Sequence, residues 1–94
     1  MIRSYGDRDT QRLAAGEKVR HWEPFRLQAE KRLRILEAAT SLGDLALLNS
    51  NRLERLRGNR KGQYSIRIND QWRICFRWPK DEPGPLNVEI VDYH

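Results

Sequence analysis

The chain has 94 residues, close to the low end of the ~100–200 usual for a domain, so one domain spanning residues 1–94 is expected. Charged residues make up 33% of it and no stretch approaches the ~20 apolar residues of a membrane span, which predicts a soluble chain with no membrane role. A single cysteine, Cys75, excludes an intrachain disulfide and a multi-cysteine metal cluster, and neither structural zinc nor any other metal or cofactor is expected. The opening Met1-Ile2-Arg3-Ser4-Tyr5 lacks the apolar core of a secretion signal, so the expected location is cytoplasmic. The net charge is +5, and 14 of the 18 basic residues are arginine, whose planar fork grips phosphate and stacks on bases. Ordinary solubilising charge has the same composition, so the placement of the arginines has to decide.

Ile2-Arg3-Ser4 suits the start of a short edge strand. Asp7 to Ala15 reads as a first helix, capped by Asp7 or Asp9 and closed by Gly16. Pro24 suits the first turn of a second, longer helix, along which Phe25, Ala29, Leu33, Leu36 and Thr40 recur at three- or four-residue spacing. Its other face holds Arg26, Glu30, Lys31, Arg34 and Glu37, with Glu30 and Arg34 spaced for an ion pair. Ser41 to Ser50 reads as a turn followed by a short apolar segment on the core. From Gln63 the period changes to two, predicting strands over 63–68, 72–78 and 86–91 separated by Asn69-Asp70-Gln71 and by Pro79 to Pro85.

In the first two of these strands the even-numbered Tyr64, Ile66, Ile68, Trp72, Ile74, Phe76 and Trp78 are apolar and should face the helices. Antiparallel partners then share parity, which requires an odd-length turn and predicts a three-residue loop with Ile68 opposite Trp72, Ile66 opposite Ile74 and Arg67 opposite Arg73. Arg77 lies further along the same outer face. Opposed like charges are unfavourable, and two resolutions are open: an anion such as phosphate between them, or side chains splayed into water.

Before the sheet, residues 51–62 carry five basic residues, Arg52, Arg55, Arg57, Arg60 and Lys61, against the single acid Glu54, with Gly58 and Gly62 near the end. This reads as a basic loop able to approach a nucleic-acid backbone, with Leu56 as its anchor to the core. The chain closes on Asp92-Tyr93-His94 directly after a strand, so these residues should be held at the sheet.

The run Leu53-Glu54-Arg55-Leu56-Arg57-Gly58-Asn59-Arg60-Lys61-Gly62-Gln63-Tyr64-Ser65-Ile66-Arg67-Ile68-Asn69-Asp70-Gln71-Trp72-Arg73-Ile74-Cys75-Phe76, together with the ending Val88 to His94, resembles the HigB toxins of the RelE/ParE superfamily. The resemblance implies an α+β, RelE-like fold: two N-terminal helices packed on one face of a small, twisted, mostly antiparallel sheet. It implies a metal-independent, ribosome-dependent endoribonuclease that cuts messenger RNA in the decoding site by attack of a 2'-OH on the adjacent phosphate, chemistry that DNA cannot support.

The same resemblance implies that Arg73 sits on the scissile phosphate with Arg57 as a second candidate. Tyr93 and His94 would shape the RNA and handle protons, and Asp92 would orient one of them. The basic loop and the outer face of the sheet add Arg55, Arg60, Lys61, Arg67 and Arg77 as candidate RNA contacts. Many relatives carry histidine where this chain has Glu54, which leaves Glu54 either as a general base or, the favoured reading, as an ion-pair partner of Arg57 or Arg55. His21, beside Trp22, is expected to have a surface or packing role. Implied partners are the ribosome, messenger RNA and a HigA-type helix-turn-helix antitoxin, with operator DNA bound only through the toxin–antitoxin complex. Two rival functions are a ParE-like action on DNA gyrase and a noncatalytic RNA-binding module, the latter indifferent to loss of Tyr93 and His94.

Overall fold

A computed structural model describes residues 1–93; His94, expected at the site, lies outside the described residues. In chain order the main elements are α1 (Arg8–Ala14), α2 (Arg26–Ala38), α3 (Leu42–Leu47), and the strands β1 (Glu54–Arg55), β2 (Gln63–Arg67), β3 (Trp72–Arg77) and β4 (Leu86–Asp92). Short 3₁₀ segments cover Arg20–Phe25, Asn49–Asn51 and Gly58–Arg60. The strands form one antiparallel sheet in the order β1-β2-β3-β4, so the chain is α+β as expected.

Helix α1 begins where the sequence places it. The Asp7 carboxylate accepts from the backbone N–H of Thr10 at 2.6 Å and from its hydroxyl at 3.1 Å, satisfying a free donor of the first turn. The buried Thr10 hydroxyl oxygen in turn accepts from the Ile90 N–H at 2.9 Å, so the cap also ties α1 to β4.

The second helix differs from the expectation at both ends. Pro24 lies inside the 3₁₀ segment, whose Trp22 and Phe25 are buried in the core, and α2 starts only at Arg26. Ala29, Leu33 and Leu36 are buried as expected, whereas Thr40 lies beyond the end of the helix and is exposed. Glu30 pairs with Arg26 at 3.2 Å rather than with Arg34, since Arg26 is already turned along the helix by Glu23 at 3.1 Å. In the segment 41–50, α3 is capped by the Ser41 hydroxyl, but its apolar run contributes mainly Leu45 to the core, while Leu47 is 85% exposed.

The sheet register is the one expected from parity and a three-residue turn. Arg67 pairs with Arg73, Ile66 with Ile74 and Tyr64 with Phe76, and the Ile68 N–H donates to the Trp72 carbonyl at 3.0 Å. The even-numbered residues Ile66, Ile68, Ile74, Phe76, Trp78, Val88 and Ile90 therefore join Leu13, Trp22, Phe25, Leu33, Leu36 and Leu45 in one buried cluster. At the N-terminus the expected edge strand is reduced to a single parallel bridge, Tyr5 to Val88. Flanking bonds from Arg3 to the Pro85 carbonyl and from Gly6 to the Val88 carbonyl, both 2.8 Å, lay this segment along β4 and cover its outer edge. Among the described residues no helix is long and apolar enough to cross a membrane.

Candidate active site

The odd-numbered face of the sheet, away from the helices, carries Ser65 and Arg67 from β2, Arg73, Cys75 and Arg77 from β3, and Glu89 from β4. Strand β1, which the sequence reading merged into a basic loop, adds one more residue to this face. Its register sets Glu54 across from Ser65 and Arg55 across from Tyr64. Successive residues point to opposite sides, so Glu54 joins the arginine face while the Arg55 guanidinium lies 5.9 Å from the Tyr64 ring centre. This overturns the favoured pairing of Glu54 with Arg55 or Arg57: among the described residues neither ion pair forms, and the charge of Glu54 acts on Arg73 instead.

Arg73 is the most enclosed of the arginines expected at the site. Its Nε donates to Ser65 Oγ at 2.7 Å, and its Nη2 donates to the Arg52 carbonyl and to the Ser65 carbonyl, the latter at 3.3 Å. Burial lowers its pKa, an effect opposed by Glu54, Cys75 and Tyr93 around it and reinforced by Arg67. The Arg67 and Arg73 side chains diverge from one another on this face. Arg67 turns to Asp70 in the β2–β3 turn, and Arg73 turns toward β2 and the start of β1.

Arg60 comes from the 3₁₀ turn after β1. Its Nη1 donates to Glu89 Oε1 at 2.8 Å and to Gln63 Oε1 at 3.0 Å, and the hydrogen bond to Glu89 is the main cause of its raised pKa. Glu89 was not singled out in the sequence; its signal was its parity, which puts the carboxylate across from Cys75 on the arginine face. Arg77 reaches over Gly62, where a Cβ would come within 2.9 Å of its Nη1, so the close approach that this glycine permits is to Arg77. Arg57 and Lys61 are exposed at the two ends of the same turn.

At the chain end, the Tyr93 N–H donates to the Gln71 carbonyl at 2.9 Å, which holds this residue at the sheet as expected. Tyr93 lies within electrostatic reach of both Arg60 and Arg73. Asp92 stands at the register position of Trp72, where its carboxylate accepts from Gln71 Nε2 at 3.0 Å. His21 is exposed, edge-on to Trp22 at 4.9 Å and 3.5 Å from Asp9, far in sequence and element from this face.

The HigB-like toxin family, described as the RelE-like toxin of type II toxin–antitoxin system HigB, matches residues 2–94. The chain belongs to this family. Among curated proteins, this HigB-family chain is 48% identical over 48 residues to Toxin HigB-1 of Vibrio cholerae serotype O1, covering 51% of this chain and 50% of that relative. It is 36% identical over 63 residues to Endoribonuclease HigB of Proteus vulgaris, covering 67% of this chain and 65% of that relative. The matched part of the chain therefore spans about half to just under two thirds of these relatives. The RelE-like resemblance drawn from the sequence is thereby borne out at the level of family and fold.

Cys75 is a buried thiol of this HigB-family site. Burial pushes its thiol from the ordinary 9.0 up to about 11, so it is not a nucleophile near neutral pH. Because the folded value is raised, the associated stability is fully present below about pH 9 and is lost as the pH climbs toward 11. Urea denaturation should show wild type losing more stability than Cys75→Ala between about pH 8.5 and about pH 10.5; equal losses would mean the thiol does not resist ionisation.

Proposed function

We propose that this chain is the toxin of a type II pair, an endoribonuclease that cleaves messenger RNA held in the ribosomal decoding site. The observation that carries the reading is Arg73: a guanidinium anchored on the arginine face of the sheet by Ser65, within electrostatic reach of Glu54 and Tyr93. The name of the Proteus vulgaris relative supports an RNA substrate.

In this reaction the Glu54 carboxylate takes the proton of a ribose 2'-OH, and the freed oxygen forms a bond to the adjacent phosphorus. Negative charge grows on the phosphorane oxygens, where Arg73 stabilises it. The bond from phosphorus to the 5'-oxygen breaks, and that oxygen takes a proton from Tyr93 or His94, leaving a 2',3'-cyclic phosphate and a 5'-hydroxyl. Asp92 braces the end of β4 through Gln71, the residue whose carbonyl also holds Tyr93, and so orients Tyr93. Arg57, Arg60, Lys61, Arg67 and Arg77 line the path of the RNA backbone, whereas Arg55 serves the Tyr64 side of the edge. The ribosome supplies the in-line geometry of the strand, which is part of the barrier. A helix-turn-helix antitoxin of HigA type silences the toxin, and the complex, not the free toxin, binds operator DNA.

Purified protein is incubated with messenger RNA, free and on programmed ribosomes, and the new 5' ends are mapped. Cuts confined to ribosome-bound RNA are the expected result. Glu54→Gln should slow them on the order of a hundredfold, the usual scale for loss of a general base. Intact RNA in the presence of continuing growth arrest would replace this reading with gyrase as the target.

A further inference from the structure

The guanidinium of Arg73 offers three nitrogens, and the protein engages two of them along one side. Nε is held by the Ser65 hydroxyl, and Nη2 by the carbonyls of Arg52 and Ser65. Among the described residues Nη1 makes no hydrogen bond, and it is not a buried atom left without a partner. Such an arrangement fixes the plane of the fork and leaves one donor edge for a phosphate oxygen.

The two anchors come from different parts of the fold. Ser65 sits on β2 across from Cys75, which puts it diagonal to Arg73 on the same face of the sheet. It is fully buried, a small polar residue in a strand whose other buried residue is apolar. The Arg52 carbonyl arrives through an unusual backbone: Arg52 has φ 46° and ψ 51°, the left-handed region that a side chain with a Cβ disfavours. Its neighbour Asn51 holds that turn. Asn51 Nδ2 donates to the Leu45 carbonyl at 3.0 Å, and its Oδ1 accepts from Arg32 Nη1 at 2.8 Å.

We propose that Ser65 is a positioning residue for the phosphate-binding arginine, acting together with the Arg52 carbonyl to present Arg73 Nη1 to the scissile phosphate. This inference rests on the proposed role of Arg73 in RNA cleavage. Without the Ser65 hydroxyl the positive charge remains on the face, so the RNA is still attracted, but the fork is free to rotate out of the geometry that the transition state needs. Loss of orientation acts on the rate at saturation rather than on affinity.

The test is single-turnover cleavage of messenger RNA on programmed ribosomes by wild type, Ser65→Ala, Ser65→Thr, Arg73→Ala and the Ser65→Ala/Arg73→Ala double variant, each assayed below its own melting temperature. Ser65→Ala is expected to lower the saturated rate about tenfold with the half-saturating protein concentration changed less than about twofold, and Ser65→Thr to recover most of the rate. In the Arg73→Ala background the serine substitution should have no further effect, since its action passes through the guanidinium. Wild-type rates from Ser65→Ala, or an equal slowing with and without Arg73, would overturn the positioning role while leaving the cleavage reading intact. Wild-type rates from Arg73→Ala would instead overturn that reading itself.

Discussion

Arg73→Ala is expected to slow ribosome-dependent cleavage on the order of 10²- to 10³-fold, the scale measured when one donor to a developing oxyanion is removed. The size follows from preorganisation: the guanidinium is already fixed by Ser65 and Arg52, so its bonds to the phosphorane form without a reorganisation cost. Arg73→Lys should recover little of the loss, because an ammonium cannot bond Ser65 and Arg52 while also presenting a donor to phosphate. The fold should survive. Arg73 meets neutral partners, and the cost of desolvating its charge disappears with it, so the stability change is expected to stay within about 1 kcal/mol. Thermal denaturation beside the cleavage assay separates the two effects, and a variant that is folded and fully active would remove Arg73 from the mechanism.

Asn51→Ala is expected to produce the largest loss of stability among the polar substitutions considered. Asn51 is fully buried and joins α2 to the segment before β1: it accepts from Arg32, donates to the Leu45 carbonyl, and its own N–H reaches the Leu48 carbonyl. Burial lowers the pKa of Arg32, and the nearby Arg67 lowers it further, so this guanidinium depends on its neutral acceptors. Alanine leaves it with the Ser50 hydroxyl at 3.3 Å. Leaving a buried guanidinium short of an acceptor costs about 3 kcal/mol, equivalent in a domain of this size to a melting temperature lower by roughly 15 °C. A shift smaller than about 3 °C would show that water replaces Asn51 at no cost, and the network would then have no structural weight.

Much of the sheet was legible because its period of two fixes the parity of the pairing and the turn length fixes the rest. Even-numbered apolar residues on both sides restrict the pairing to same-parity partners, and the three-residue turn Asn69-Asp70-Gln71 then sets Ile66 against Ile74 and Arg67 against Arg73. Helix α1 was legible from Asp7 and Gly16, which have capping chemistry of their own. Strand β1 was not, because two residues cannot display a period. The start of α2 was misplaced because proline suits both the first turn of an α-helix and a 3₁₀ segment, and the choice lies in the packing of Trp22 and Phe25.

The site divides in the same way. The arginine face, the candidate role of Arg73 and the family itself followed from residue types at alternating positions and from motifs that are continuous in sequence. The partners of those residues did not. Whether Glu54 meets Arg55 or Arg73 depends on the β1–β2 register, and whether Arg60 meets Glu89 depends on two segments 29 residues apart. The anchoring of Arg73 by a backbone carbonyl from Arg52, 21 residues away, carries no side-chain signature at all. Short-range pattern dictates which face a side chain takes, because the pleat is a local property of the chain. Which charges meet on that face is set by distances between strands, and those exist only once the core has closed.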